Sequence, residues 1–339
     1  MNVGFTYNVK KSAPSTKLEE QVDLEFDSMD VINGIKTALE DLGHTVFLVE
    51  ADADSFLKLK ELKGKIDIVF NIAEGLVGDA RESQIPMFCE TLGIPYTHSG
   101  PTTHSIGLDK EFTKLILKGA GVAKVPYSFI VESKDYKLDE TINFPVIVKP
   151  NKEGSSKGIM DNSVVNKKED LDKVIKEISE DFKKEVIVEE YVDGREFTVA
   201  VIGNEEKEVL PIIEQKFDFL PAGMNKIASF ELKWLYEDSL KDLKDAYDCP
   251  AILDDNLKSE IEETSKQICK LLDVKDCARI DYRLNSKGEL YFIEINTLPG
   301  INPDEKTISY FPLASRTAGM SFKDMIGRIL DLAKTRYSL

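Results

Sequence analysis

The chain has 339 residues, 42% of them hydrophobic, which indicates a globular protein and argues against intrinsic disorder. This length suffices for two or three domains that share a substantial core. Asp and Glu number 61 against 44 Lys and Arg, and the net charge of −17 argues against nucleic acid as a partner. A small anionic ligand is still compatible with this charge, because a pocket can carry its own cations.

None of the four cysteines belongs to a CxxC pair, and none of the three histidines has a metal-ligand spacing with them. This pattern predicts reduced thiols rather than a zinc site or a disulfide framework. The N-terminal residues MNVGFTY read as a strand and not as a signal peptide, and no apolar run reaches the length of a membrane span. We therefore expect a cytoplasmic protein without a membrane segment.

Strands and helices alternate through residues 1–100. Strands are predicted at Asn2–Thr6, Thr45–Val49, Ile66–Ile72 and Ile94–Thr97, and helices at Asp30–Leu42, Phe56–Leu62 and Arg81–Leu92. The alternation predicts a doubly wound α/β domain, whose ligands bind beyond the carboxyl ends of the strands. Tyr7, Asn8 and the loop Ala73–Arg81 are therefore expected near an active site.

The remaining residues contain further helices and strands without an internal repeat. Helices are predicted at Thr102–Lys118, Leu171–Ile178, Leu257–Leu272 and Ser321–Lys334, and strands at Tyr127–Val131, Phe144–Lys149, Val186–Tyr191 and Glu196–Ile202. The segment Gly223–Tyr247 is polar and irregular, which is typical of a mobile loop.

The stretch Cys277–Thr297 reads as a β-hairpin. Alternating apolar and polar residues predict strands at Ala278–Leu284 and Glu289–Asn296, joined by a turn that contains a glycine. If Leu284 pairs with Glu289, four polar side chains share one face of the hairpin, because directly opposed residues share a face. They are Arg279, Asp281, Glu294 and Asn296.

Two carboxylates and an amide on one face are hard oxygen donors, which suit Mg²⁺ better than zinc. A carboxylate within the apolar run YFIEI is also costly to bury unless it is paired or bound to a metal. The alternative is a half-exposed hairpin with a polar outer face. A one-residue slip in the pairing would move one strand's side chains to the other face.

The stretch Ile147–Gly158, IVKPNKEGSSKG, has the composition of an anion-binding loop. Its glycines let backbone N–H groups approach a phosphate, Ser155 and Ser156 add hydroxyl donors, and Lys149 stands at the end of the preceding strand. The stretch does not match the Walker pattern, and the chain contains no GxGxxG motif. The alternative is an ordinary mobile hairpin loop.

Two further places combine charge with apolar neighbours. The strand VIVEEYV carries Glu189 and Glu190 near its end, where the main chain can hold an adenine and a carboxylate can take ribose hydroxyls. Lys233 is a single cation within LKWLY. The alternatives are a strand that ends in solvated acids and a surface lysine that snorkels to water.

Taken together, the order and spacing of these stretches resemble the D-alanine–D-alanine ligases of the ATP-grasp superfamily. The resemblance covers nearly the whole chain and is strongest from Ile94 to Gly203 and from Cys277 onward. The stretches that carry it are GIPYTHSGPTTHSIGLDKEFTK, FPVIVKPNKEGSSKGI, VIVEEYVDGREFTVAVIG, ARIDYRL, YFIEINTLPG and SYFPLASRTAGMSF. It implies an ATP-grasp fold, with an N-terminal α/β domain at 1–100, a central subdomain at 101–192 and a C-terminal, metal-binding subdomain at 193–339.

Matching positions imply a role for each candidate site residue. Those implied to bind ATP are Lys110, Lys149, Ser156 and Lys233 at the phosphates, Glu189, Glu190 and Val192 at the adenine, and Glu196 at the ribose. Those implied to bind Mg²⁺ or Mn²⁺ are Asp281, Glu294 and Asn296. Those implied to assist the reaction are Arg279 and the Gly300 N–H at the charged intermediate, Ser155 over the γ-phosphate, and Ser309 at the acceptor.

The resemblance also implies the reaction. A substrate carboxylate attacks the γ-phosphate of ATP, and an amine then attacks the resulting acyl phosphate to form a peptide bond. Cations neutralise the approaching anions, and Arg279 with backbone N–H groups stabilises the oxyanion. A loop must close to exclude water, and the candidates are Asn151–Gly158 and Gly223–Tyr247.

The chain departs from the family on the substrate side of the site. TYNVKKSAPS replaces the Gly-rich loop whose glutamate holds the first substrate's amino group, and Glu19 or Glu20 is the candidate for that glutamate. NIAEGLVGDARESQIP replaces a second loop, which makes Glu74 and Arg81 candidates for substrate binding.

Two further departures fall on the substrate side: Trp234 replaces the tyrosine that follows the family's phosphate lysine, and the stretch between Gly300 and Ser309 is longer than in the family. Three interpretations follow: a D-alanine–D-alanine ligase or close relative, a ligase that joins other amino acids or small carboxylates, and a non-catalytic ATP-binding protein. The complete metal trio beside Arg279 argues against the last of these. The family further implies small-molecule amino-acid substrates and a homodimer formed through the N-terminal domain.

Overall fold

The structure is a computed structural model that describes residues 1–12, 23–132, 136–138, 141–182, 185–237, 240 and 242–339. Within these residues the strands form a three-stranded, a four-stranded and a six-stranded sheet. Helices pack on all three sheets, which confirms the predicted α/β class. In the described part of the chain, no helix is both long enough and apolar enough to cross a membrane.

The N-terminal sheet is parallel and lies between helices. Its region contains β1 (Asn2–Tyr7), α1 (Met29–Asp41), β2 (Thr45–Glu50), α2 (Ser55–Leu62), β3 (Ile68–Asn71) and α3 (Gln84–Leu92), with strand order β2-β1-β3. Helix α1 packs on one face and α2 with α3 on the other, because β1 and β3 are almost wholly apolar. This is the doubly wound arrangement that the sequence predicts.

Two predicted elements in this region are different in the structure. The helix predicted from Arg81 to Leu92 begins with a 3-10 turn at Arg81–Ser83 before α3. The strand predicted at Ile94–Thr97 is reduced to a single bridge between Val69 and Tyr96. Pro95 lacks the N–H that a regular ladder requires.

The helix predicted at Thr102–Lys118 is two helices, α4 (Pro101–Leu108) and α5 (Lys110–Ala120). Asp109 lies between them with an extended backbone, and its carboxylate accepts the N–H of Phe112 at 2.9 Å as an N-cap. The break therefore places Lys110 at the first position of α5, where it is buried.

The four-stranded sheet contains β4 (Ser128–Val131), β5 (Val146–Pro150), β6 (Val164–Val165) and β7 (Val186–Glu190), and α6 (Lys168–Phe182) packs on it. Its pairs are antiparallel, in the order β4-β7-β5-β6. Val148 and Val188 face α6. Because side chains alternate along a strand, Lys149 and Glu189 lie on the opposite face.

The six-stranded sheet contains β8 (Gly194–Ile202), β9 (Glu208–Val209), β10 (Ile213–Gln215), β11 (Tyr247–Asp248), β12 (Cys277–Asn285) and β13 (Leu290–Asn296), and α7 (Asp255–Leu271) packs on it. The strand order is β11-β10-β8-β12-β13, and β9 pairs with β8. Ile280 and Tyr282 face α7. Arg279, Asp281 and Arg283 therefore share the other face of the sheet.

Helices α8 (Tyr310–Thr317) and α9 (Phe322–Tyr337) return the chain to its N-terminal sheet. Ile326 and Ile329 of α9 share one buried cluster with Ile35 of α1 and with the apolar face of β1. The last helix thus completes the core in which the first strand lies. The division into residues 1–100, 101–192 and 193–339 stays a prediction.

The predicted register of the hairpin is wrong, although the predicted face is right. Leu284 pairs with Leu290 and not with Glu289. A β-bulge next to Asp281 then shifts the register by one residue, so that Asp281 lies directly opposite Glu294. The two errors offset each other, and both carboxylates lie on the same face.

The segment Gly223–Tyr247 is less irregular than predicted. Leu232–Tyr236 forms a π-helical turn, and Leu243–Asp245 forms a 3-10 turn. Residues 238–239 and 241 of this segment lie outside the described residues.

Candidate active site

A cleft lies between the four-stranded and the six-stranded sheet. The candidate residues that line it are Lys149, Ser155, Ser156, Glu189, Glu190, Val192, Glu196, Lys233, Arg279, Asp281 and Glu294. Candidates outside this lining are Lys110, Asn296, Glu74, Arg81, Gly300 and Ser309. The structure thus brings most of the predicted nucleotide and metal residues into one cleft, whereas Lys110, Asn296 and the predicted substrate residues lie outside its lining.

Glu189 lies between two lysines on the wall formed by β5 and β7. Its carboxylate oxygens are each 2.5 Å from an ammonium group, one on Lys149 and one on Lys114. Burial alone would raise the pKa of Glu189, but Lys114 and Lys149 outweigh it and lower that pKa to about 2. Burial lowers the pKa of Lys114 to about 8. Glu189 is therefore a buried, paired carboxylate and not a solvated acid.

Lys114 is absent from the sequence-based set of candidates. It follows Lys110 by four residues in DKEFTK, so both lie on one side of α5, and this spacing was the available signal.

Glu190 is different from its neighbour Glu189: it is partly exposed and accepts the N–H and the amide Nδ2–H of Asn143 at 2.9 and 2.6 Å.

Lys110 connects the candidate anion-binding loop, Asn151–Gly158 (called the phosphate loop below), to the hairpin. Its ammonium donates to the carbonyl of Glu153 at 2.5 Å and lies 3.5 Å from a carboxylate oxygen of Glu294. Burial raises the pKa of Glu294, but Lys110, Lys149 and Arg279 together hold it below its ordinary value. The site therefore keeps Glu294 ionised.

Asp281 is held by its neighbours on the six-stranded sheet. Its carboxylate accepts the hydroxyl of Thr198 and the guanidinium of Arg279, each at 2.9 Å. Burial raises the pKa of Asp281, and the charge of Arg279 partly offsets this shift. Asn296 pairs with Arg279 across the hairpin. The half-exposed hairpin considered as an alternative is wrong for Asp281, which is buried.

These residues fit a magnesium or manganese ion. Two carboxylates and an amide occupy one face of the hairpin, and Mg²⁺ is commonly held by one or two carboxylates together with substrate phosphates. Among the described residues, no group of three or more His, Cys, Asp or Glu side chains is arranged to hold a metal ion by itself.

The lining of the cleft also contains an ion pair between Glu196 and the buried Arg283, 3.0 Å apart. Arg283 also donates to the carbonyl of Lys226 at 2.9 Å and lies 5.0 Å from the ring of Tyr191. Burial raises the pKa of Glu196 to about 7, although Arg283 opposes the shift. Arg283 was missed from the sequence, and its alternation with Arg279 in ARIDYRL was the signal.

The loop at Ser155 and Ser156 is fixed by contacts to the second predicted closing loop. Both serines have positive φ angles, 51° and 60°, which turn the backbone sharply. The hydroxyl of Ser156 donates to the carbonyl of Ala228 at 2.7 Å, and the N–H of Phe230 donates to the carbonyl of Ile159 at 2.7 Å. The two loops therefore contact each other directly.

Arg81 ties the N-terminal region to this loop. Its guanidinium lies 2.7 Å from Glu25 and 3.3 Å from Glu153, and it donates to the carbonyl of Lys152 at 2.9 Å. Glu25 also accepts the N–H of Gly154 at 2.7 Å. A Cβ at position 154 would lie 2.6 Å from the same oxygen of Glu25, so a larger residue there would displace this carboxylate.

Glu25 is a third residue, after Lys114 and Arg283, that the sequence did not predict. Glu19 and Glu20, the sequence-based candidates for a substrate-holding glutamate, lie outside the described residues. Burial, with the nearby Glu82 and Glu25, raises the pKa of Glu74 well above its ordinary value. Several carboxylates therefore lie around the guanidinium of Arg81.

Gly300 and Ser309 lie outside the lining of the cleft, and Ser309 directly precedes Tyr310, which lines it. The hydroxyl of Ser309 donates to the carbonyl of Gly300 at 3.1 Å. The next residue, Tyr310, lines the cleft, with its ring 5.8 Å from the guanidinium of Arg279. Its hydroxyl donates to Gln215, and burial raises its pKa well above the ordinary value.

Two antiparallel sheets, with lysines on one wall and opposed carboxylates on the other, define an ATP-grasp protein. A family model described as "D-ala D-ala ligase C-terminus" matches residues 116–331. The chain belongs to the D-alanine–D-alanine ligase family, as the sequence predicts.

Individual relatives agree with this assignment. The chain is 33% identical to a D-alanine–D-alanine ligase of Aquifex aeolicus, over 89% of this chain and 94% of that protein. It is 32% identical to the uncharacterized protein y4sG of Sinorhizobium fredii, over 91% of this chain and 88% of that protein. The crystal structure of a Bacillus anthracis D-alanine–D-alanine ligase complexed with ATP matches the fold with a TM-score of 0.74 at 22% identity, covering 100% and 99% of the two chains.

Proposed function

We propose that the protein is an ATP-dependent carboxylate–amine ligase that joins two amino acids, with D-alanine as the first candidate for both. The observation that carries the proposal is the convergence of Lys110 and Lys149 with the opposed pair Asp281 and Glu294 in one cleft. Relatives that share a third of their residues with this chain bear the name D-alanine–D-alanine ligase, which supports the choice of substrate.

The nucleotide would lie along the wall formed by β5 and β7. Lys149 and Lys110 would meet its phosphates, and Lys233, which lines the cleft from the π-helical turn, would add a third cation. Glu196 and Arg283 form a polar pair in the lining of the same cleft and would meet the ribose hydroxyls. Glu189 would act indirectly, because its carboxylate orients Lys149.

Asp281, Glu294 and Asn296 would hold Mg²⁺ or Mn²⁺. When bound, the ion neutralises charge as two anions approach each other. Arg279 would neutralise part of the same negative charge. Its guanidinium lies 2.9 Å from Asp281 and 4.0 Å from Glu294 and so borders the proposed metal position.

The reaction consists of two transfers. An oxygen of the first substrate's carboxylate takes the γ-phosphoryl group, and ADP leaves. The amine of the second substrate then forms the C–N bond as the C–O bond to phosphate breaks, and the amine's proton passes to solvent. Arg279 and the N–H of Gly300 would stabilise the oxyanion, and Ser309 would position the second substrate.

The first substrate's ammonium group requires a carboxylate. Glu25 is the described glutamate that follows β1 and reaches the phosphate loop at Gly154. Its partner Arg81 is charged, and burial of both makes the pair a rigid border of the substrate position. We propose Glu25 for the role for which the sequence alone suggested Glu19 or Glu20.

The test is ADP release with Mg·ATP and D-alanine, with mass spectrometry of the product. Formation of D-alanyl-D-alanine supports the full proposal. Turnover only with other D- or L-amino acids, or with small carboxylates, would favour the second candidate, which the altered loop around Glu74 and Arg81 supports. ATP binding without ADP release on any substrate would leave a non-catalytic nucleotide-binding protein and refute the proposal.

An ATP-consuming reaction suits the cytoplasm, and we propose that location. A homodimer stays a prediction.

A further inference from the structure

Helix α4 packs against β13, the strand that carries Glu294 and Asn296. The last paired residue of β13 is Asn296, opposite Arg279, and the next residue, Thr297, lies beyond the end of the strand. Thr297 is nevertheless buried, with 1% of its surface exposed. Because Thr297 follows Asn296 directly, the contacts that hold Thr297 also limit where Asn296 can lie.

His104 of α4 holds Thr297 by a hydrogen bond. The imidazole Nδ1 and the hydroxyl of Thr297 are 2.8 Å apart, and His104 is fully buried. Three residues further along α4 and on the same side, Gly107 comes so close that a Cβ there would lie 3.0 Å from the methyl carbon of Thr297. Thr297 is thus fixed by a polar contact and a packing contact with the same helix.

His104 is neutral, so it acts through this hydrogen bond and not through a charge. Burial lowers the pKa of His104 to about 4. A neutral imidazole has one donor and one acceptor nitrogen, and a hydroxyl can pair with either. The carboxylate of Glu82 lies 3.8 Å from the same Nδ1, beyond hydrogen-bond distance, so the partner of this nitrogen is Thr297.

Helix α4 is itself anchored at other points. The hydroxyl of Thr103 donates to the carbonyl of Leu272 at 2.8 Å, beside the end of α7. The hydroxyls of Ser105 and Ser83 lie 2.7 Å apart and link α4 to the 3-10 turn before α3. The helix is therefore a firm support for the residue that it contacts at the end of β13.

The end of β13 is held at two points from this side. Lys110, the first residue of α5, lies 3.5 Å from a carboxylate oxygen of Glu294. His104, six positions earlier, contacts the residue after Asn296. Both candidate metal ligands of this strand thus have a neighbour in the segment formed by α4 and the start of α5.

We propose that His104 is a positioning residue for the metal-binding end of the hairpin. Through Thr297 it fixes Asn296 in the place where its amide oxygen can join two carboxylates around Mg²⁺ or Mn²⁺. The inference rests on the proposed function, which assigns the metal ligands. Groups that orient metal ligands commonly change metal affinity by about 10- to 100-fold when they are removed.

The test measures the affinity for Mn²⁺ directly. The wild type and each variant are titrated with Mn²⁺ at a saturating concentration of a non-hydrolysable ATP analogue, and the electron paramagnetic resonance signal of the free ion gives the bound fraction. Thr297→Val removes the hydroxyl and nearly keeps the shape, so the Kd for Mn²⁺ should rise about tenfold or more. Thr297→Ser keeps the hydroxyl and should raise the Kd far less.

Variants of His104 examine the other side of the hydrogen bond. His104→Leu should weaken Mn²⁺ binding as much as Thr297→Val does. The double variant should lose no more than either single one, because both changes remove the same contact. His104→Asn can place an amide near the position of Nδ1 and should recover part of the affinity.

Thr103→Val is the matched control, because it removes a hydroxyl from the same helix at a hydrogen bond that ends on Leu272 and not beside the hairpin. It should lower the Tm and leave the Kd for Mn²⁺ unchanged, and thermal unfolding checks that every variant folds. Equal rises in this Kd for Thr103→Val and Thr297→Val would show that α4 acts only as structure and would overturn the inference.

The remaining outcomes separate this inference from the proposed function. Wild-type affinity for Mn²⁺ in both Thr297→Val and His104→Leu would overturn the positioning role and leave the ligase proposal standing. Equal losses in Thr297→Ser and Thr297→Val would show that the hydroxyl is not the group that matters, and would overturn it too. Absence of Mn²⁺ binding by the wild type with the ATP analogue would refute the metal assignment itself, and the positioning role with it.

Discussion

Asp281 and Glu294 lie directly opposite each other on adjacent antiparallel strands. Like charges in this position are unfavourable, since such side chains have their Cβ atoms only about 5 Å apart. Arg279 at 2.9 Å from Asp281 and Lys110 at 3.5 Å from Glu294 offset the repulsion. A hairpin built only for stability would not need this arrangement, whereas a metal-binding hairpin does.

Removal of one carboxylate of this pair should remove metal-dependent turnover. We expect Glu294→Ala to lower kcat by at least about a hundredfold, because the ion loses a direct ligand. ADP release titrated against Mg²⁺ measures the effect, and thermal unfolding checks the fold. Glu289→Ala, which removes a partly exposed carboxylate of the same hairpin, is the control and should leave turnover unchanged. Retained turnover in Glu294→Ala would refute the metal assignment.

The nucleotide side of the site was predictable because each of its motifs is a short, contiguous stretch. Alternation along β12 and β13 placed Asp281 and Glu294 on one face even though the bulge was not foreseen. A bulge depends on how two strands fit together, which a single strand's pattern does not contain. The face of a strand is thus more predictable than its register.

The substrate side was not predictable, because its contacts join residues distant in the chain. Arg81 meets Glu25 and Glu153, which lie 56 and 72 positions away. The same holds on the wall formed by β5 and β7, where Lys114 meets Glu189 at a separation of 75. Nothing in the local sequence of these residues specifies such distant partners.

The contact between Arg81 and Glu25 should be energetically coupled. Both side chains are buried, so Arg81→Ala leaves a carboxylate without its partner and should cost about 3–5 kcal/mol of the free energy of unfolding. A double-mutant cycle with Glu25→Gln, measured by urea unfolding, should give a coupling of about 1–3 kcal/mol.

The surface pair Arg328 and Glu208 provides the comparison. Its side chains are 36% and 52% exposed, and its coupling should be below about 1 kcal/mol. Additive effects of Arg81→Ala and Glu25→Gln would contradict the proposed link between the N-terminal region and the phosphate loop.

Glu189 should make the fold sensitive to acid. Its pKa is lowered from 4.5 to about 2 in the folded state, so the unfolded chain binds its proton first as the pH falls. The stabilisation is therefore fully present above pH 4.5 and is lost as the pH falls toward about 2. The free energy of unfolding of Glu189→Gln should depend less on pH in this window than that of the wild type. Parallel pH profiles for the two proteins would refute the pairing with Lys114 and Lys149.

The pair Glu196 and Arg283 should control the affinity for ATP through pH. The folded-state pKa of Glu196 is about 7, and an ionised carboxylate is the better acceptor for ribose hydroxyls, so KM for ATP should fall as the pH rises through this value.

Arg283 opposes the rise in the pKa of Glu196, and Arg283→Met should therefore move the midpoint of the KM profile to higher pH. Steady-state KM values for ATP across the neutral range measure this shift. Arg195→Met is the control, because Arg195 pairs with Glu214, is partly exposed and does not line the cleft. If both variants left the midpoint at its wild-type pH, Glu196 would not be the group that binds the ribose.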